Sequence, residues 1–408
     1  MIPEMKNQNQ FTPRNMVLGV QFLFVAFGAT VLVPLLVRID PAVALFTAGV
    51  GTLLFHLITK GMVPVFLGSS FAFIAPIIES TRLYGLPGTF SGIIAVGVVY
   101  MLVSGLVRAR GIKFIERLFP STVVGPVIMI IGLSLASVAV DMAKTQWVIA
   151  SISLLTAIVV VVFTKGLIKL IPIFVGIVVG YIAALTFGLI DFTPIKEAAW
   201  FTLPAFTMPE FSWGSILYMI PVAVAPIIEH VGDMYAIGGV AEKNFIERPG
   251  LHRTLLGDGI ATSLAGFFGG VPNTTYSEVT GAISLTKVTN PFILRISAIT
   301  AIVFSLVGKI SGILKTIPQA VLGGIMLLLF GLIASVGIKT LVDSKTDLSK
   351  VRNQVIVSVV LTVGIGGAVI SWGNFSLAGI GLAAVVGILL NLILPGESAQ
   401  VVVAEEAE

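Results

Sequence analysis

The segment EHVGD, residues 229 to 233, places acid–base side chains directly after an apolar run that extends from Pro221 to Ile228. A charge at the centre of a membrane-spanning helix costs about 2.5 to 3.5 kcal/mol on insertion scales, so carboxylates retained there indicate function. Glu229 and Asp233 are four residues apart and therefore share one face of a helix. Two ionised carboxylates repel each other in such a place, so the pair is predicted to bind a proton. The alternative is that the helix ends at Ile228 and that both acids lie at the membrane surface.

Two further carboxylates fall within or beside apolar segments. Glu278 follows the segment PNTTYS, which interrupts a helix, so its carboxylate is predicted to lie beside exposed backbone amides. The alternative is an ordinary loop acid. Asp258 lies between two glycines near the start of another apolar segment, which is more typical of a helix cap or a helix interface.

Histidine and cysteine give little support for a metal site. The chain has 3 histidines and no cysteine, so neither a metal nor any other cofactor is predicted. His230 is adjacent to Glu229 in sequence, but consecutive helical residues point about 100° apart, so the two do not share a face. A hydrogen-bonded structural histidine is therefore predicted at this position in preference to a catalytic one.

The composition is that of a polytopic membrane protein in contact with lipid. Hydrophobic residues make up 56% of the chain and charged residues 11%, whereas a soluble domain has about 25% charged residues. The mean hydropathy is +1.06. The basic residues are scattered among short loops and form no stripe, so nucleic acid is not predicted as a partner despite a net charge of +4. The polar start MIPEMKNQNQFTPRN predicts no removable signal peptide.

Apolar windows and helix breakers predict fourteen membrane spans. Most of the 24 lysines and arginines then fall on the side of the N-terminus, which predicts that both termini are cytoplasmic. The spans are predicted at residues 16–37, 41–59, 63–78, 88–107, 121–140, 146–163, 170–190, 214–232, 254–270, 271–286, 292–312, 318–337, 354–371 and 377–394.

Two of these spans cannot be unbroken helices. The third contains VPVFLGSSFAFIAP and the tenth GGVPNTTYSEVTG, and both are predicted to carry short extended segments. They hold the same place in two sets of seven spans. Since seven is odd, the second set enters the membrane upside down, as in transporters whose broken helices meet at a midplane site. Phe71 and Tyr276 on these spans could stack on a planar ligand, with simple packing as the alternative.

Several motifs in this order resemble the nucleobase/ascorbate transporter family, most closely its bacterial uracil permeases. They are FGATVLVP (27–34), GSSFAFIAP (68–76), EHVGD (229–233), RPGLHR (248–253) and PNTTYSE (272–278). The resemblance extends from about residue 16 to 394 and implies an all-α fold of fourteen spans in a seven-plus-seven inverted repeat. It divides the chain into an N-terminal tail (1–15), a core domain (16–107 and 206–312), a gate domain (108–205 and 313–394) and an acidic C-terminal tail (395–408).

The function implied by the resemblance is proton-coupled uptake of a nucleobase, with uracil favoured, across the cytoplasmic membrane of a bacterium. A transporter is thus predicted, not an enzyme, and a homodimer through the gate domain is implied. Asp233, coupled to Glu229, is implied in proton coupling. Base contacts are implied for Glu229, Glu278, the backbone amides of Phe71 and Ser277, and the rings of Phe71 and Tyr276 that flank the base.

Four positions depart from the pattern of the family, namely Phe22, Val279, Met326 and Phe330, where polar residues are common. These changes leave a purine (xanthine or urate) or anion transporter of the same fold as alternatives. Glu278 stands where many purine carriers have glutamine, which favours a pyrimidine, and the broken spans carry no lysine or arginine for an anion. An intramembrane enzyme that uses the EHVGD segment is a more remote alternative.

Overall fold

The computed structural model describes residues 11–113, 118–166, 168–372 and 375–395. The described chain is mostly helical, and six of its helical stretches are long and apolar enough to cross a membrane. Shorter helices supply the remaining spans of the predicted fourteen. The chain is therefore a multi-pass membrane protein. The greater part of both predicted tails, residues 1–10 and 396–408, lies outside the described residues.

The first seven spans lie close to their predicted bounds. They comprise α1 Pro13–Leu36, α2 Pro41–Ile58, β1 Leu67–Ser69, α3 Ile74–Arg110, α4 Ser121–Leu133, α5 Ala136–Lys144, α6 Trp147–Phe163 and α7 Pro172–Thr186. Proline begins α1 and α2, and the side chains of Thr12 and Asp40 accept hydrogen bonds from the first amides of these helices. Gly85, with φ of 74°, divides α3 into the third and fourth spans, because glycine adopts this backbone conformation without steric cost.

The second seven spans follow the short helix α8 Thr193–Glu197. They comprise α9 Trp213–Met219, α10 Val224–Ala241, α11 Leu251–Phe267, β2 Asn273–Thr275, α12 Ser277–Thr286, α13 Pro291–Ser305, α14 Gly308–Lys315, α15 Gln319–Asp343, α16 Val351–Ile365, β3 Val369–Trp372, β4 Phe375–Ala378 and α17 Gly379–Ile393. Span eight passes from α9 through a 3₁₀ turn into α10, which continues to Ala241. Glu229 and Asp233 therefore lie inside a helix, and the alternative that placed them beyond its end is wrong.

Two predicted span boundaries are also wrong. The eleventh span ends at Ser305, and α14 is a separate helix, because Val307 between them has an extended backbone. An antiparallel hairpin of β3 and β4 occupies the region predicted as the adjoining ends of spans thirteen and fourteen.

Helices approach closely where glycines face each other. A Cβ atom on Gly97 in α3 would lie 2.4 Å from the carbonyl oxygen of Gly259 in α11, and one on Gly337 in α15 would lie 2.5 Å from that of Gly125 in α4. Small residues let helix backbones pack closely in a membrane. The helices α2, α3 and α11 pack together, as do α4, α5, α6 and α15. The residue boundaries of the core and gate domains stay a prediction.

The two broken spans cross at short extended segments, as predicted. Strands β1 and β2 pair antiparallel, with Gly68 opposite Thr274. The Tyr276 hydroxyl donates a 2.8 Å hydrogen bond to the carbonyl of Ser69, which ties the end of β2 to β1. Beyond the strands, a 3₁₀ turn Phe71–Phe73 leads into α3, and α12 begins at Ser277. The crossing thus brings the N-terminal ends of two half-helices together.

Candidate functional site

A cavity of about 1570 Å³ reaches this crossing from the ends of α10 and α15. All six residues proposed from the sequence line it, although they come from three separate parts of the chain: Phe71, Glu229, Asp233, Tyr276, Ser277 and Glu278. The fold therefore brings together the residues that the sequence singled out.

Among these six residues, Glu229 and Glu278 are the acidic ones that are open to the cavity. Both residues lie inside the protein yet expose more than a third of their surface, because that surface faces the cavity. Phe71 is half-buried beside them, whereas Tyr276 is only 5% exposed, so little of its ring reaches the cavity. A ligand in this space can therefore contact two carboxylates and the Phe71 ring.

Two helix N-termini supply backbone donors at the same place. Phe71 begins the 3₁₀ turn before α3, and Ser277 is the first residue of α12. The first amides of a helix have no acceptor within it, and the positive end of the helix dipole lies beside them. Both residues line the cavity. Carboxylate acceptors and backbone donors therefore lie around one space.

Asp233 is held by two hydroxyl groups from the crossing. Thr275 Oγ1 donates a 2.6 Å hydrogen bond to Oδ2 of Asp233, and Ser277 Oγ donates a 2.7 Å hydrogen bond to Oδ1. Asp233 is only 5% exposed. Sequence reasoning missed both hydroxyl contacts. Alternate residues of an extended segment point to the same side. This rule could have predicted that Thr275 and Ser277 share a side, but not that both contact an acid on another span.

His230 lies on the side of α10 that packs against α11 and does not line the cavity. Its Nδ1 lies 2.8 Å from Oδ2 of Asp258, and its Nε2 lies 2.9 Å from the Thr254 hydroxyl. The contact with Asp258 is short enough for an ion pair but is not aligned as a hydrogen bond. Both side chains are fully buried. The prediction of a structural histidine is confirmed, and Asp258 is an interface residue within α11, not a cap.

The residues that depart from the family pattern lie elsewhere. Phe22, Val279, Met326 and Phe330 are at most 2% exposed, and none of the four lines the cavity. On α15 the wall is formed by apolar neighbours of Met326 and Phe330, such as Ile325 and Leu329. Consecutive side chains on a helix point about 100° apart. Met326 and Phe330 therefore point away from the cavity, and their neighbours Ile325 and Leu329 form its apolar wall.

The charge on the cavity wall is mainly negative. Its acidic residues are Glu229, Asp233, Glu242, Glu278 and Asp343, and Lys243 is the one lysine or arginine among the described residues that line it. Glu242 and Lys243 follow the end of α10, and Asp343 ends α15, so these three lie at the mouth. In the described part of the chain, no group of three or more His, Cys, Asp and Glu side chains could hold a metal ion.

Known sequences similar to this chain identify its family. A family model described as "Permease family" matches residues 13–372. The chain is 51% identical over 403 residues to a probable uracil permease of Haemophilus influenzae, with 97% of each chain covered. It is 43% identical over 398 residues to the uracil permease of Bacillus subtilis, with 92% of each chain covered.

Solved transporter structures share the fold. The inward-facing structure of murine solute carrier 26 family member A9, an anion transporter, aligns with a TM-score of 0.71 at 11% identity, covering 96% of this chain and 69% of that one. The transmembrane domain of the cyanobacterial bicarbonate transporter BicA aligns with a TM-score of 0.63 at 16% identity, covering 94% of this chain and 98% of that one. The seven-plus-seven inverted repeat is therefore confirmed. Because the family model covers most of the chain and the relatives cover nearly all of it, the chain belongs to the nucleobase/ascorbate transporter family.

Proposed function

We propose that this protein carries uracil, or a closely related nucleobase, together with protons into a bacterial cell across its cytoplasmic membrane. The observation that carries the proposal is the meeting of Glu229 and Glu278 with two helix N-termini in one cavity. Relatives named uracil permease, at 51% and 43% identity, support the same substrate.

The chemistry of the base matches the groups around the cavity. Uracil is a planar ring with N–H donors and carbonyl acceptors along its edge. Carboxylates accept from the N–H groups, and backbone amides donate to the carbonyl oxygens. Glu229 and Glu278 would supply the acceptors, and the amides of Phe71 and Ser277 the donors. A site in which every polar group is paired rejects analogues that lack one of them.

Aromatic contacts would hold the faces of the ring. Phe71 is half-buried at the cavity wall and can pack on a planar base. Tyr276 is buried, and its hydroxyl donates a hydrogen bond to the Ser69 carbonyl. Its main contribution would be to hold β1 and β2 together, with a smaller contact to the base.

Proton coupling would use Asp233 and Glu229, one helical turn apart on α10. A proton taken up from outside by Asp233 reduces the repulsion between the two carboxylates, which favours binding of the base at Glu229. By reciprocity, the bound base favours the proton. Movement of the core domain against the gate domain would then present the site to the other side of the membrane.

The position of the cavity mouth supports release toward the cytoplasm. Glu242, Lys243 and Asp343 belong to segments that the distribution of basic residues predicts to be cytoplasmic, on the same side as both termini. The cavity would thus open inward, in the state that releases uracil to the cell.

An anion carrier of the same fold is the main rival, since the solved structures include anion and bicarbonate transporters. The predominance of acidic residues on the cavity wall disfavours an anionic substrate. A purine carrier is a second rival, because its substrate presents a similar hydrogen-bonding edge.

Uptake into proteoliposomes tests the proposal. Labelled uracil is supplied under an imposed inward proton gradient, with unlabelled uracil, thymine, xanthine and bicarbonate as competitors. We expect accumulation that a protonophore abolishes and that uracil-like bases alone inhibit, with the label recovered chemically unchanged. Flux of xanthine or bicarbonate without flux of uracil would contradict the proposed substrate.

A further inference from the structure

We infer that Thr275 and Ser277 are positioning residues that link the charge of Asp233 to the placement of Glu278. The inference deepens the proposed proton-coupled function and rests on it. It concerns the hydroxyl groups of the two residues, and not the Ser277 amide that the substrate proposal uses.

The two hydrogen bonds to Asp233 are those expected of an ionised carboxylate. Each carboxylate oxygen accepts from a different hydroxyl, at 2.6 Å from Thr275 and 2.7 Å from Ser277. Hydroxyl-to-carboxylate bonds of 2.5 to 2.7 Å are typical of charge-assisted pairs. A protonated Asp233 carries an O–H group that itself needs an acceptor. One of the two hydroxyls would then have to turn from donor to acceptor, so the pair of bonds responds to the proton.

The same hydroxyls lie between the paired strands and a carboxylate on the cavity wall. Thr275 is the last residue of β2, which is paired to β1 and tied by Tyr276 to Ser69. Ser277 is the first residue of α12, and the next residue, Glu278, faces the cavity. A change at Asp233 is therefore transmitted across one peptide unit to the carboxylate that would contact the base.

The charged surroundings make the hydroxyl donors necessary. Glu229 on the same helix, Glu278 on α12 and Asp258 on α11 are all acidic, and His230 is paired with Asp258. Helices α4 and α17 also pack against α10 and carry no titratable residue. In the described part of the chain, the side chains of Thr275 and Ser277 donate hydrogen bonds to the Asp233 carboxylate. These two hydroxyl groups therefore stabilise the negative charge of Asp233.

Four single substitutions separate this role from a structural one. Thr275→Val and Ser277→Ala each remove one hydroxyl and keep the backbone amide. Thr275→Ser keeps the hydroxyl and should behave as wild type. Thr274→Val is the matched control, because Thr274 precedes Thr275 on β2 and has a buried hydroxyl without a hydrogen-bond partner in the described structure.

Two titrations of the purified full-length protein test the inference. The first follows the infrared C=O band of a protonated carboxylic acid against pH, assigned to Asp233 by its loss in Asp233→Asn. The second follows the dissociation constant of uracil against pH. Loss of a hydrogen bond to the charged form should move both midpoints to higher pH by about one pH unit in Thr275→Val and Ser277→Ala. The uracil affinity of Thr275→Val at low pH should stay within about threefold of wild type.

The outcomes are distinct. Wild-type midpoints in Thr275→Val and Ser277→Ala, or an equal shift in Thr274→Val, would overturn the inference. So would an infrared shift without any shift in the uracil profile, because the proton would then not reach the substrate site. If wild-type protein binds no uracil, the proposed substrate fails, and the infrared titration of the same variants still decides whether the hydroxyls hold the charge of Asp233.

Discussion

Replacement of Glu229 by glutamine should weaken uracil binding by a predictable amount. The side chain lies within the protein and faces the cavity, so in the proposed complex it accepts a hydrogen bond from the base as a charged group. Hydrogen bonds to charged groups contribute about 1.5 to 3 kcal/mol. The cavity of about 1570 Å³ has room for water beside a bound ring, which favours the lower part of that range. A loss of about 1.5 to 2 kcal/mol raises the dissociation constant roughly 10- to 30-fold.

Calorimetric titration of uracil into the detergent-solubilised protein measures this change. Glu242→Gln is the matched control, because Glu242 lines the same cavity but lies exposed at its mouth. We expect the control to bind uracil with a dissociation constant within about twofold of wild type, since solvent and salt screen an exposed charge at the mouth of the cavity. A Glu229→Gln dissociation constant within twofold of wild type, or an equal loss in both variants, would refute the assignment of Glu229 as a base contact.

Three further outcomes are expected. Asp233→Asn should retain uracil exchange in proteoliposomes and lose accumulation driven by a proton gradient; accumulation at wild-type level would remove Asp233 from the coupling. Asp258→Asn should lower the free energy of unfolding by about 3 to 5 kcal/mol, because it breaks the buried pair with His230, and an unfolding titration in detergent that shows less than 1 kcal/mol would contradict this reading. Gly68→Ala should lower the free energy of unfolding by about 1 to 3 kcal/mol, since its Cβ would lie 2.5 Å from the Tyr276 ring. An unchanged melting temperature would contradict this expectation, because the crossing would then accommodate the added methyl group.

Much of the fold was predictable because a membrane imposes a simple rule on sequence. A span must be apolar over a fixed length, so windows of hydropathy located the spans, and breakers located the crossing of β1 and β2. The same rule isolated Glu229 and Glu278, since charge is costly there. The hairpin of β3 and β4 was missed, because short apolar strands and helix ends have similar composition.

The contacts between spans could not be predicted from one sequence. His230 and Asp258 are 28 residues apart, and the Thr275 and Ser277 hydroxyls are 42 and 44 residues from Asp233. No local period relates such positions. For Asp258 the flanking glycines left a cap and a helix interface open, and the chain uses them to bring α11 close to its neighbours.

The spacing of the two acids on α10 explains how one helix can hold both a ligand contact and a proton site. Glu229 faces the open cavity, where a base can reach it, whereas Asp233 is buried against the crossing, where hydroxyl donors offset its charge. Exchange of the two roles would fail on both counts, because both oxygens of Asp233 already accept from hydroxyl groups, and an open carboxylate would find water in place of fixed donors. In the proposed mechanism, the proton therefore acts where the two half-helices are joined. The base binds one turn away, so both events act on the N-terminus of α12 and on the Glu278 carboxylate that it carries.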